Sequence, residues 1–176
     1  MNSPSVLARP DVRFHASWVE AVAEYARDGS QQHGSGLWDF DPLDVRREFF
    51  PTIVEHLLRQ GDPATVLPGN LVHSSYFWIV DGDEFVGYLA LRHALTAWLL
   101  EEGGHIGFSV RPSRRRQGWA GRALAASLPE ARALGLERVL VTCDEDNEGS
   151  RRTIEGGGGV YEDSRKGKRR YWIAVP

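Results

Sequence analysis

The chain has one cysteine, Cys143, and one methionine in 176 residues. A lone thiol excludes an internal disulfide framework and a multi-cysteine zinc site, and it suits a reducing compartment. No apolar run approaches the roughly 18 residues that a membrane-crossing helix needs. Met1–Pro10 lacks the basic-then-apolar order of a secretory leader. A cytoplasmic protein without membrane contact is therefore expected. Positive charge is not in surplus: the formal net charge is −3, unlike a general nucleic-acid binder. The phosphate-loop patterns G-x-x-x-x-G-K-S/T and G-x-G-x-x-G are both missing, which argues against a nucleoside triphosphate or a dinucleotide as ligand.

What remains is a globular composition, 41% hydrophobic and 26% charged, with six Trp and seven Phe. The length fits one domain over residues 1–176 with a proper core. Arg111, Arg114, Arg115, Arg116 and Arg122 crowd into twelve positions, and Arg165, Lys166, Lys168, Arg169 and Arg170 form a second basic group. A basic spot on an acidic chain suits a small polyanion. The second group reads as a solvated hairpin turn.

Periodicity predicts strands at Ser5–Ala8, Tyr76–Val80, Glu84–Arg92, His105–Arg111, Arg138–Cys143, Val160–Asp163 and Arg170–Val175. Asp81-Gly82 joins the second and third as a hairpin. Helices are predicted over Val12–Asp28, from Asp41-Pro42 to about Gln60, over Gly118–Leu134 and over Glu148–Glu155. This order indicates an α/β sheet covered by helices on both faces.

The chemistry concentrates where a strand, a turn and a helix follow one another: Ile106–Val110, Arg111–Gly118, then an alanine-rich helix. The first turn of a helix carries unpaired N–H groups and the positive dipole end, so it binds phosphate. Gly118, Ala120 and Gly121 allow close approach, and Arg115 with its neighbours adds charge-assisted bonds. On these residues alone a solvated arginine-rich turn remains the alternative.

Val110-Arg111-Pro112 followed by Arg115-x-x-Gly118-x-Ala120 resembles the acetyl-CoA signature of the GNAT superfamily of N-acetyltransferases. Gly104–Val160 is similar to that family along its length, and the Tyr76–Arg92 hairpin stands where its second and third strands belong. The resemblance implies a mixed, mostly antiparallel sheet of about seven strands with about four helices. It also implies an acceptor-side half over about 1–72 and an acetyl-CoA-binding core over about 73–176.

By the same resemblance, Phe108, Ser109 and Val110 run along the pantetheine arm, with the Phe108 or Ser109 amide as oxyanion donor. Arg115, Arg116, Gln117, Gly118, Trp119, Ala120, Gly121 and Arg122 surround the pyrophosphate. Asn147 and Ser150 meet the pantetheine end, although Asn147 also reads as a helix N-cap. His105 stands where the family often has a glutamate base, and strand parity puts His105, Gly107 and Ser109 on one face. A neutral imidazole is a suitable proton acceptor. The family's tyrosine acid is absent: Ile154 holds its position, and Tyr161 replaces it only if the chain folds back.

Trp38, Phe40 and His93 are candidates for the acceptor site. The expected activity is acetyl transfer from acetyl-CoA, without metal, to a primary amine of a small molecule. A protein or peptide acceptor and a non-catalytic acyl-CoA sensor are the alternatives. Homodimers occur in the family. Asp144-x-Asp146-x-Glu148-Gly149 only approximates a calcium loop, since a strand precedes it. Cys143 reads as a core or cleft-lining thiol.

Overall fold

The computed structural model describes residues 5–176; the first four, part of the stretch tested for a leader, lie outside the described residues. The strands are β1 (Leu7–Ala8), β2 (Ser74–Asp81), β3 (Glu84–Arg92), β4 (Ile106–Val110), β5 (Arg138–Asp144), β6 (Val160–Arg165) and β7 (Lys168–Ala174). The helices are α1 (His15–Asp28), α2 (Phe50–Gln60), α3 (Trp119–Ala133) and α4 (Glu148–Gly156). The strands form one sheet in the order β1-β2-β3-β4-β5-β7-β6. All pairs are antiparallel except β4 with β5. This is the mixed, mostly antiparallel architecture expected from the sequence.

Both faces of β2 and β3 are covered, and their side chains divide by alternation. Tyr76, Trp78, Val80, Phe85, Tyr88 and Ala90 face α1 and α2, while Phe77, Ile79, Val86, Leu89 and Leu91 belong to the cluster with α3 and α4. Gly82, at φ +59°, makes the tight turn between the two strands.

Phe14, Trp18, Ala21 and Tyr25 recur at helical spacing and are buried as one stripe. Gly29, left-handed at φ +69°, ends α1. Trp18 packs on Phe50 at 4.7 Å between ring centroids, and Phe50 on Trp78 at 5.8 Å. That aromatic layer seats α1 and α2 on the sheet.

The start of α2 differs from expectation. It begins at Phe50, with proline in its first turn, and not at Asp41-Pro42. Either proline could open a helix. Leu43, Val45 and Phe49 instead pack against the core from a non-helical segment. The second basic group forms the β6–β7 hairpin turn, with Arg165 and Lys166 exposed as expected, and only Arg170 departs from a solvated position. Arg170 is 2% exposed and binds Glu162, Asp163 and the Leu100 carbonyl.

One feature of the sheet positions the site. β4 and β5 share a single registered pair, Ile106 with Val141, and then separate. The sheet opens there into a cleft.

Candidate active site

The main chain of β4 forms one wall of the cleft. Arg111 N–H donates to Val86 O on β3 at 2.8 Å. Alternation then turns the amides of Gly107 and Ser109 to β3, and the amide of Phe108 to the gap beside β5. Phe108 N–H has no ladder partner, because the pairing has already ended. The carbonyl of Val110 accepts from Arg115 Nε at 3.0 Å.

Across the gap lies the turn into α3. Arg114 N–H bonds to Arg111 O and Arg115 N–H to Pro112 O; the next main-chain donor with a partner is Arg122, whose N–H bonds to Gly118 O. The six amides of Arg116–Gly121 therefore have no protein acceptor among the described residues. Arg116 at φ +58° and Gly118 at φ +79° are both left-handed, which bends successive N–H groups toward one side. No side chain caps the helix at Gly118. A Cβ at Gly118 or Gly121 would meet nothing within 4 Å, so the approach is open. Such a row of donors at a positive helix end fits a diphosphate.

The arginines divide into two sets. Arg111 is buried and binds Glu24 at 2.6 Å, with Glu20 and Glu84 nearby. Arg114 pairs with Asp81 and Glu84. Arg115 is committed to Val110 O, Asp28 and Ser30 Oγ. Arg116 and Arg122 have no carboxylate partner among the described residues, and Arg122 stacks on Trp119 at 3.8 Å. The Trp119 side chain is core; its Nε1 donates to Gln117 Oε1 at 3.3 Å. Of the two free arginines, Arg116 lines the cleft and Arg122 does not, being held on Trp119 and the Gln117 carbonyl; Arg115 anchors the turn to α1 and β4.

The cleft has a volume of about 460 Å3. It is lined by Phe108, Ser109 and Val110, by Arg114–Arg116 and Gly118–Gly121, and by Asn147, Gly149, Ser150 and Thr153. Asn147 caps α4: its Oδ1 accepts from Ser150 N–H at 3.0 Å. Its Nδ2 carries no bond among the described residues, so the cap and a cleft-facing donor coexist. The fourth side of the cleft, made by Ser30, Gln31 and His33, comes from the α1–α2 loop.

That loop is stitched to β4. Ser109 Oγ donates to His33 O at 2.8 Å and accepts from Tyr25 O–H at 3.2 Å. Burial raises the Tyr25 phenol to about 12, against the opposing Ser109 bond, so it stays protonated. Gly34 has φ +79°, and a Cβ there would lie 2.4 Å from Gly107 O. Only glycine fits that crossing.

Beyond the loop is a second cavity of about 610 Å3, lined among others by Trp38, Tyr76, Arg92, Thr96 and Trp98. Among the described residues, His33 and no other lines both cavities. Partial desolvation lowers its pKa first, and the nearby charge of Lys168 adds to this, which favours the neutral ring. The sequence reading missed His33, for it lies in a Gly/Ser/His loop with no spacing signal.

Four candidate residues stand elsewhere. His105 is 5% exposed and lines neither cavity. Its Nδ1 accepts from Leu140 N–H at 2.9 Å, and burial, with Arg92 beside it, lowers its pKa to about 4. The sequence assigned it as the base; its lone pair is instead used by β5. Phe40 packs edge-on against Phe49 and His56 and faces no cavity. His93 bonds Ser75 Oγ at 2.8 Å and stacks on His73, also away from both cavities. Trp38 does stand at the second cavity, 56% exposed at its rim. Tyr161 bonds Ser164 on β6 and does not reach the cleft.

The family model described as Acetyltransferase (GNAT) family matches residues 41–155, and the chain belongs to that family. It is an acetyltransferase that uses acetyl-CoA as co-substrate. Among solved structures, Mycobacterium smegmatis RimJ in complex with CoA-disulfide is 21% identical with a TM-score of 0.69, over 96% of this chain and 81% of that one. An acetyltransferase from Salmonella typhimurium, described as modifying the N-terminal serine of ribosomal protein L7/L12, is 16% identical with a TM-score of 0.62, over 97% and 94%. The microcin C7 self-immunity acetyltransferase MccE, in complex with acetyl-CoA and AMP, is 14% identical with a TM-score of 0.66, over 98% of both. These likenesses concern the fold. No curated protein matches the chain.

Proposed function

We propose that the chain transfers acetyl from acetyl-CoA to the α-amine of a polypeptide N-terminus by direct attack. The observation that carries the transfer is the row of six unpartnered amides, Arg116–Gly121, facing the open amide of Phe108 across one cleft. The polypeptide acceptor replaces the small-molecule amine expected from the sequence. Its support is the second cavity, large enough for the first residues of a chain, and a similar fold whose described substrate is a protein N-terminus.

Acetyl-CoA supplies the thioester. In this reading Arg116–Gly121 hold the diphosphate through their N–H groups, with the Arg116 side chain adding charge. Phe108 N–H, aimed into the gap, donates to the thioester oxygen as negative charge grows on it. Asn147 and Ser150 fix the arm where α4 begins. His33, common to both cavities and neutral, receives the proton that the amine sheds as its nitrogen bonds to the acetyl carbon and the sulfur departs. His105 supports β4 from behind.

Thiol release from acetyl-CoA tests the reading. Peptides with a free α-amine should release thiol, and the same peptides already acetylated should release none. Turnover confined to small amines would contradict the polypeptide acceptor, and CoA binding without release from any amine would contradict the enzyme.

A further inference from the structure

The second cavity is lined by sixteen residues, and none is aspartate or glutamate. This is unusual for a pocket that receives an ammonium ion. Its one fixed charge is positive: Arg92, at the end of β3. The guanidinium lies over Gly107, where a Cβ would be 3.6 Å from both Nη1 and Nη2.

Nη1 donates to Gly103 O at 3.0 Å and Gly104 O at 3.1 Å, which fixes the plane of the group. Nε and Nη2 have no acceptor, and no carboxylate pairs with Arg92, among the described residues. Arg111, Arg114, Arg115 and Arg170 all have such partners. Burial lowers the Arg92 pKa, and the only opposing influence is Tyr76. Arg92 is half-buried, so its guanidinium is partly desolvated, and without a counter-charge it gains from a ligand that brings one. The free Nε–Nη2 edge is also the geometry that meets both oxygens of a carboxylate.

We propose that Arg92 receives a carboxylate carried by the acceptor a few bonds from its reacting amine. In the polypeptide reading, on which this rests, that group is an aspartate or glutamate side chain at the first position. Ser74, Tyr76 and Thr96, which share the cavity, supply further hydroxyl groups. The other source of the same chemistry is the α-carboxylate of a free amino acid.

The test is calorimetric titration of the CoA-bound protein with two heptapeptides that differ only in beginning with aspartate or asparagine. The acidic peptide should bind at least tenfold tighter. Arg92→Gln should remove the difference, while Arg92→Lys, which keeps charge without the fork, should retain part of it. A parallel pair, phenylalanine and its amide, identifies the second source: a preference for the free acid that Arg92→Gln abolishes keeps the anion site and moves its ligand. Equal binding within both pairs, or a preference that survives Arg92→Gln, overturns the proposal. Thiol release from the same peptides is read separately. A preference in binding without release would sink the transferase reading and leave the anion site standing.

Discussion

His105 and Leu140 exchange two hydrogen bonds. The His105 N–H donates to Leu140 O at 2.7 Å, and the Leu140 N–H donates to His105 Nδ1 at 2.9 Å. The imidazole therefore does the work of a strand partner where β4 begins beside β5.

His105→Ala should then be a stability variant. It leaves the buried Leu140 N–H unpaired, which costs about 1–3 kcal/mol, and removes packing on Trp172 as well. Thermal unfolding should show the loss, while the pH profile of turnover keeps its shape. Acid unfolding gives a second reading. The unfolded imidazole titrates near 6.5 and the folded one near 4, so protons favour the unfolded state between those values. Stability is fully present above pH 6.5 and falls toward pH 4, by up to about 3 kcal/mol, and His105→Ala should flatten that slope.

His33→Gln should lower kcat by roughly 100-fold, the range for losing a positioned proton acceptor, with folding unchanged. Because the His33 pKa in the free protein is lowered from 6.5, the acid limb of kcat/KM in the parent belongs below pH 6.5. Falling pH charges the ring there and stops it accepting. A parent limb above 7 that the variant shares would exclude His33.

Gly34→Ala should weaken activity more than stability. The added methyl would collide with Gly107 O and Ala90 N, backbone atoms that cannot move aside. The α1–α2 loop must lift, taking His33 with it. Kinetics and urea unfolding on one preparation separate the two effects.

Glu24→Gln tests the scaffold behind the loop. Burial favours the protonated acid, but the bonds from Arg111 and from the Ser113 N–H and hydroxyl outweigh it, and the carboxylate is held down to about 2. Removing the charge leaves Arg111 buried with only its weaker partners, so a loss of about 3 kcal/mol is expected by chemical unfolding. In the parent, this contribution is present above pH 4.5 and fades as pH falls toward 2.

The strand-turn-helix of the cleft was legible because it is local: Ile106–Gly121 carries its own periodicity, glycines and helix start. The same holds for the β2–β3 hairpin and its Asp81-Gly82 turn. The base was not legible. Parity grouped His105 with Gly107 and Ser109, yet no sequence pattern reveals that β5 claims the ring. His33 meets β4 across 76 positions of chain, through tertiary packing alone, and Arg92, on the neighbouring strand, faces the loop that carries His33. Arg115 shows the same limit: its charge is visible in the sequence, while its commitment to Asp28 and Ser30 is not. Phe40 and His93 likewise offered suitable chemistry without a position.

The claim beneath all this is that main-chain nitrogens hold the diphosphate. Titrating 15N-labelled protein with CoA, and following the backbone amides by NMR, measures it directly. Large shifts are expected at Arg116–Gly121, with Phe108 following, and little change at His105. Unmoved resonances in that run at saturating CoA would contradict it.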